Sequence, residues 1–217
     1  MRLYLASTSP ARLATLRAAG IEPILLSSGV DEEAAVAAAG PLSPEETVLL
    51  LARLKAEAVA DQLVDGEPID GFILGGDSAF ELDGLLYGKP HFAPVARARW
   101  LKQRGRQGKL HSGHWLIDHR AGSLSVAEPV EAGAVGSVST ALVTFASNIS
   151  EAEIDAYIAT GEPLEVAGAF TIDSLGAAFI SEIHGDPHAV VGLSLATLRQ
   201  LLLQFDVSWP TLWNREL

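Results

Sequence analysis

Residues 72–90 read FILGGDSAFELDGLLYGKP. The apolar run at 72–74 has the length and composition of a short buried strand, and Gly75-Gly76-Asp77-Ser78 follows where such a strand meets open space. Asp83-Gly84, set between residues 79–82 and 85–87, is a two-residue hairpin signal because both residues tolerate positive φ. In open α/β sheets, ligand chemistry gathers at the carboxyl ends of strands. The glycines would let a substrate or metal approach the backbone closely, and Asp77 has the chemistry to bind a divalent ion or take a proton from water. An aspartate that merely begins a turn fits these residues equally well. Lys89, after the hairpin, can fold back beside Asp77, although Gly-Lys-Pro alone is an ordinary loop.

The flanking sequence supplies the rest of the fold. Residues 3–6 form an apolar run that stops at Ser7-Thr8-Ser9-Pro10. Leu13 and Leu16 then open a helical pattern closed by Gly20, with Ser9 as N-cap and Pro10 at the first helical position, where its missing N–H costs nothing. Residues 21–26 read as a second strand leading to an acidic turn at Val30-Asp31-Glu32-Glu33. Ser43-Pro44-Glu45-Glu46 is a capping-box pattern ahead of a helix running to about residue 63, and 65–71 reads as loop. Further helices are predicted at 94–104, 150–160 (Ser150 and Glu153 repeat the capping box) and 194–205. Strands are predicted at 114–119, 138–146 and 179–183, with 120–137 a loop or mobile hairpin. There is no internal repeat. Strands and helices interleave throughout, which indicates an α/β or mixed α+β fold.

A chain of 217 residues can bury a sizeable core as one domain. With 48% hydrophobic and 19% charged residues, and a mean hydropathy of +0.25, it is too apolar for disorder, yet it has no uncharged run long enough to span a membrane. A net charge of -12 repels nucleic-acid polymers and anionic lipid, so a phosphate ligand needs a local basic pocket and a divalent cation. The absence of cysteine excludes disulfides, thiolate zinc and cysteine nucleophiles. The start of the chain reads as a strand rather than a signal peptide, and the default expectation is a cytoplasmic enzyme.

Ser7-Thr8-Ser9-Pro10-Ala11-Arg12 sets hydroxyls and free N–H groups at a helix start with a cation one turn in, an arrangement that attracts anions. It lacks the glycines and Gly-Lys-Ser/Thr of a P-loop, and a plain cap with a surface arginine is the simpler reading of that stretch alone. Lys55 shares a helical face with Val48, Ala52 and Val59, so either it snorkels to water or it has a buried partner. His111/His114 and His184/His188 have metal-like spacing, but Gly113, Gly185 and Pro187 argue against the helix such pairs require. Gly192-Leu193-Ser194-Leu195-Ala196 nearly matches a nucleophile elbow, yet no histidine follows His188. For Glu32, Glu165 and Asp173 the default is a solvated surface, unless they converge on Asp77.

Taken in order, Ala6-Ser7-Thr8-Ser9-Pro10-Ala11-Arg12, Val30-Asp31-Glu32, Leu51-Ala52-Arg53-Leu54-Lys55-Ala56, Gly75-Gly76-Asp77-Ser78, Gly88-Lys89-Pro90, Gly161-Glu162-Pro163, residues 167–173 and Val190-Val191-Gly192-Leu193 strongly resemble the Maf family of nucleoside triphosphate pyrophosphatases over nearly the whole chain. The resemblance implies a single domain over residues 1–217: an elongated mixed sheet with flanking helices, two lobes around a cleft, similar to the inosine triphosphate pyrophosphatases, and a possible homodimer. It also implies hydrolysis of a nucleoside triphosphate to monophosphate and pyrophosphate with Mg2+ or Mn2+, removal of non-standard nucleotides, and a link to septum formation. Carried over by position, Asp77 is the proton acceptor, Ser7, Arg12, Lys55 and Lys89 hold phosphates, and Glu32 joins Asp77 in binding metal. Ala11, Ser78 and Asp173 stand where many members that prefer dTTP and UTP carry arginine, threonine and glutamine, so these positions bear on base choice and Asp173 on substrate binding. Gly76 replaces a common alanine and Val166 a common lysine. The alternatives are a nucleotide-binding regulator of division with vestigial catalysis, and a metal-dependent phosphohydrolase that releases orthophosphate.

Overall fold

The computed structural model describes residues 1–120 and 133–215. Its organising strand, β5, runs through Gly71–Leu82 and does not stop at residue 74 as the apolar run suggested. It continues because the antiparallel strand β7 (Gln107–His119) pairs with it from Gly71↔His119 to Glu81↔Lys109, satisfying the backbone through the small and polar residues 75–79. The other edge of β5 is shared. Parallel β1 (Leu3–Ala6) covers Phe72 to Gly75, and β6 (Leu85–Tyr87) returns antiparallel over Phe80 to Leu82. Residues 76–79 therefore face a break in strand pairing. The break beside Asp77 arises because β1 ends there, not because β5 does.

Among the described residues the main sheet has the order β2 (Ile24–Leu25), β1, β5, β7, β8 (Ala134–Phe145), β9 (Ile180–His184), with β6 on β5. β1 runs parallel to β2 and β5, and the remaining pairings are antiparallel, so the fold is mixed α/β as the interleaved pattern indicated. Asp83 and Gly84 take φ of 55° and 74°, as the predicted hairpin requires. The same dipeptide at Asp65-Gly66, with φ of 54° and 86°, turns a small separate hairpin of β3 (Leu63–Val64) and β4 (Glu67–Pro68) where a loop was expected. Of the segment 120–137, residues 121–132 lie outside the described residues, and β8 begins at 134, earlier than expected.

The caps behave as their residue types dictate. Ser9 accepts from the Arg12 N–H at the start of α1 (Pro10–Ala18), and full capping boxes open α3 (Pro44–Glu57) and α5 (Glu151–Ala159). α3 ends six residues short of the expected boundary. The acidic turn at residues 30–33 is the start of a helix, α2 (Glu32–Ala39), capped by Asp31, with Glu32 and Glu33 in its first turn where the dipole favours them. α4 (Ala93–Gln103), α6 (Pro187–Val191) and α7 (Leu195–Leu203) are the remaining α-helices among the described residues.

Two apolar clusters sit on opposite faces of the first half of β5, one with Phe72, Leu74 and the residues of α1 and α7, the other with Ile73, Tyr4 and Ala56. A third packs Phe80 and Leu82 against α4 and α5. In it Phe80 meets Phe145 and Phe170 edge-on at 5.8 and 5.3 Å, and Trp100 donates to Ala169 O at 2.8 Å. Residues 75–79 belong to none of these clusters, so the pairing break lies between them.

Candidate active site

Helix α3 lies so close to the sheet that only glycine fits beneath it. A Cβ on Gly75 would stand 2.0 Å from Ala52 O, and one on Gly113, in the neighbouring strand, 2.3 Å from Val48 O. The buried face of α3 is Val48, Leu51, Ala52, Lys55 and Ala56, so Lys55 is brought down onto β5 among apolar neighbours. Its Nζ lies 2.7 Å from Asp77 Oδ1 and 2.7 Å from Glu32 Oε1. Lys55 and Asp77 are 11% and 13% exposed and Glu32 51%, so a desolvated pair is joined by a carboxylate that reaches in from solvent. A buried partner, not snorkelling, explains the lysine in the apolar stripe. Burial pushes the Asp77 pKa up, against the opposing charges of Lys55 and Arg12.

The opposite face of β5 carries the second group. Gly76 faces Arg12, whose Nε would lie 3.2 Å from a Cβ there. Arg12 is 8% exposed and held at three points: Nε donates to Gly192 O (2.8 Å), Nη1 to Ser7 Oγ (3.0 Å) and Nη2 to Ser78 Oγ (3.0 Å). Three of its five N–H groups are thus used by protein, which leaves two for a ligand. Burial lowers its pKa, with Asp77 and Glu32 opposing; a guanidinium stays charged throughout the physiological range. The paired glycines therefore admit protein to both faces of the strand, a helix backbone on one and a guanidinium on the other, rather than the substrate or metal expected there. Both groups flank the stretch of β5 just past the end of β1, where that edge of the strand is unpaired.

Six candidates thus gather at the gap: Ser7, Arg12, Glu32, Lys55, Asp77 and Ser78. Ala11 precedes Arg12 in α1 and adds no polar group. Lys89 is exposed and makes no ion pair among the described residues; it follows β6, where Tyr87 stands opposite Phe80, so the chain there is returning along β5 toward Ser78. Asp173 is also exposed and, among the described residues, makes no ion pair and is not joined to the cluster. Its loop is organised by Glu162, which accepts from Tyr157 Oη (2.9 Å), Ser174 Oγ (2.7 Å), Gly176 N (3.1 Å), Leu175 N and Thr171 Oγ1. Burial, the largest single influence, raises the Glu162 pKa, but these donors together outweigh it and hold it at about 2.

Two residues that the sequence reading did not place at this site also lie against it. Ser112 and His114, two apart on β7 and wholly buried, share the Arg12 face of the sheet. His114 Nε2 accepts from Ser194 N at 2.9 Å, and burial together with the Arg12 charge lowers its pKa to about 4. The signal was present as polar residues at alternate positions of a strand, but it was hidden because that strand was expected to begin only at His114. His111, three residues from His114, points to the other face, where its Nε2 meets Glu81 Oε2 at 3.0 Å; strand geometry, not the glycine alone, rules out a shared metal. Ser194 is the N-cap of α7 and not a nucleophile.

Among the described residues no group of three or more His, Cys, Asp or Glu could by itself hold a metal ion. Asp77 and Glu32 supply hard oxygen donors gathered around one cation, the Lys55 ammonium. Mg2+ needs only one or two carboxylates when substrate phosphates and water complete its shell, so this donor set fits a metal that arrives with a polyphosphate.

A family model described as "Maf-like protein" matches residues 2–205. A protein of Leifsonia xyli named "Nucleoside triphosphate pyrophosphatase" is 66% identical over 99% of this chain and 98% of its own length. Proteins of the same name from Cutibacterium acnes and Salinispora tropica are 48% and 47% identical, over 97% and 99% of this chain and 93% and 88% of their own lengths.

Proposed function

This chain belongs to the Maf-like protein family, and on that premise we propose that it hydrolyses nucleoside triphosphates to the monophosphate and pyrophosphate. The observation that carries the reading is the arrangement at residues 76–79, where one desolvated carboxylate, Asp77, is ion-paired to a buried lysine on one face of β5 while a buried arginine, whose charge also acts on it, occupies the other face, at a break in the sheet. A triphosphate in that gap meets cations already fixed in place, and they act on its charge without reorganising.

Asp77 orients a water molecule and takes its proton as the oxygen attacks the α-phosphorus. The bond from the α-phosphorus to the α–β bridging oxygen breaks, and pyrophosphate leaves with the electron pair. The burial that raises the Asp77 pKa also makes it a better proton acceptor. Arg12 presents its two unused N–H groups, Lys55 its ammonium and Ser7 its hydroxyl to phosphate oxygens, and Lys89 approaches from the hairpin side. Asp77 and Glu32 would hold Mg2+ or Mn2+, which when bound neutralises phosphate charge. Ala11, Ser78 and Asp173 bear on the base. This reading takes the chain as one domain with two lobes and residues 76–79 in the cleft, acting on non-standard nucleotides in the cytoplasm, as a homodimer linked to septum formation. No helix among the described residues is long and apolar enough to cross a membrane.

The test is a panel of standard and modified triphosphates incubated with purified protein and Mg2+ or Mn2+, with pyrophosphate and orthophosphate measured separately. Pyrophosphate release that stops on chelation and returns with metal supports the reading. Orthophosphate as the first product, or ligand binding without product, sinks it.

A further inference from the structure

Ser112 is wholly buried, and the side-chain bonds of Arg12 go to Gly192, Ser7 and Ser78 rather than to it. Its Oγ is 2.7 Å from Ala189 O, a carbonyl that can only accept, so Ser112 must donate there. A serine hydroxyl carries one proton. The 2.8 Å bond between Ser78 Oγ and Ser112 Oγ must therefore be donated by Ser78. With the Ser78 proton drawn away, its lone pairs are left to accept from Arg12 Nη2 at 3.0 Å. Every bond in the series runs one way, from Arg12 to Ser78 to Ser112 to Ala189.

We propose that Ser112 is a positioning residue for phosphate binding: through Ser78 it fixes the Arg12 guanidinium with two N–H groups turned toward the ligand. The inference rests on the reading of Arg12 as a phosphate-holding group. The end of α6 completes the mount, since Ala189 O receives the series and Gly192 O receives Arg12 Nε. Gly192 has φ of 114°, and a Cβ there would press on Ser78 Oγ at 3.3 Å, so glycine is required for this approach. Without Ser112 the Ser78 proton has no buried acceptor and is free to turn toward the guanidinium. In a desolvated site that opposes the Arg12 bond.

The test uses pyrophosphate as a probe independent of the base, its dissociation constant measured by calorimetry with Mg2+ for wild type, Ser112→Ala, Ser78→Ala and the double variant. Ser112→Ala is expected to weaken pyrophosphate binding about two- to twelve-fold, the range of one net hydrogen bond, and to raise KM for a hydrolysed triphosphate more than it lowers kcat. Ser78→Ala weakens binding as well, and the double variant binds no more weakly than Ser78→Ala alone, because Ser112 then has nothing to orient. Ser112→Cys, similar in shape and poor at hydrogen bonding, should follow Ser112→Ala and provides the measurement if the alanine variant does not fold. Wild-type affinity in either Ser112 variant, or losses that add in the double variant, overturns the proposal. A wild type that binds no pyrophosphate overturns instead the phosphate-site reading beneath it.

Discussion

Gly75 and Gly76 are adjacent and identical, yet replacing each by alanine should have very different consequences. The Gly75 Cβ would stand 2.0 Å from Ala52 O and 2.9 Å from Ala56 Cβ, both on α3, where ordinary contact begins near 3.4 Å. Neither obstacle is a flexible tip, so α3 must retreat by about 1.4 Å, the difference between 2.0 and 3.4 Å. Overpacking of this kind costs about 1–3 kcal/mol, which for a chain of this size lowers Tm by roughly 2–12 °C. Lys55 rides on the same helix, one turn on, and its 2.7 Å bond to Asp77 would lengthen beyond hydrogen-bonding reach. A misplacement near 1 Å in catalytic geometry costs about 100-fold in rate. Gly76→Ala is met most closely by the Arg12 side chain, at 3.2 Å from Nε, so it asks a side chain for a few tenths of an ångström instead of asking a helix backbone for about 1.4 Å. Calorimetric melting and the pyrophosphate assay on both variants decide the matter. A Gly75→Ala protein that melts with wild type and keeps its kcat/KM would refute the account of α3 as the mount for Lys55.

Other consequences can be checked with the same tools. Asp77→Asn keeps the shape but removes the proton acceptor, so kcat should fall about 10²- to 10⁴-fold with the circular dichroism spectrum intact; unchanged turnover removes Asp77 from its role. His114 must be neutral to accept from Ser194 N, and its pKa of about 4 lies below that of the unfolded chain near 6.5, so the unfolded state gains the proton first. That contribution is complete above pH 6.5 and is lost as pH falls toward 4, by up to about 3 kcal/mol; urea melts of wild type and His114→Gln across that window should differ in slope. Glu162, held at about 2, stabilises above pH 4.5 and loses that effect as pH falls toward 2, so Glu162→Gln should flatten stability over the more acid window. Phe80→Ala opens a cavity among Phe145 and Phe170 and should cost about 3–5 kcal/mol in denaturant melts.

Much of the molecule was legible in one dimension. Ser43 and Ser150 announced their helices through capping boxes, Asp83-Gly84 announced its hairpin, and Lys55 in an apolar stripe posed a question that snorkelling or a buried partner could answer equally. Such signals are local, because caps and turns are decided within four residues and helical faces by a fixed period. Asp65-Gly66 carried the same turn chemistry as Asp83-Gly84 but had two-residue strands on either side, too short to read. The acidic residues 31–33 looked like a turn because alanines with few large apolar residues follow, and so the α2 helix that delivers Glu32 to Lys55 was missed.

By itself, then, the order of residues determined the alternation of strands and helices, where the capped helices α1, α3, α5 and α7 begin, and that Asp77 and Lys55 required an explanation. Tertiary structure alone decided that β5 continues past residue 74, since a strand ends where its partners end and its partners come from distant sequence. It also decided that Gly75 serves α3 and Gly76 serves Arg12, because alternation along a strand assigns faces without naming what packs against them. The hydroxyl of Ser112 acquires its role in the same way, from one buried proton and two oxygens contributed by residues 34 and 77 positions away in the chain.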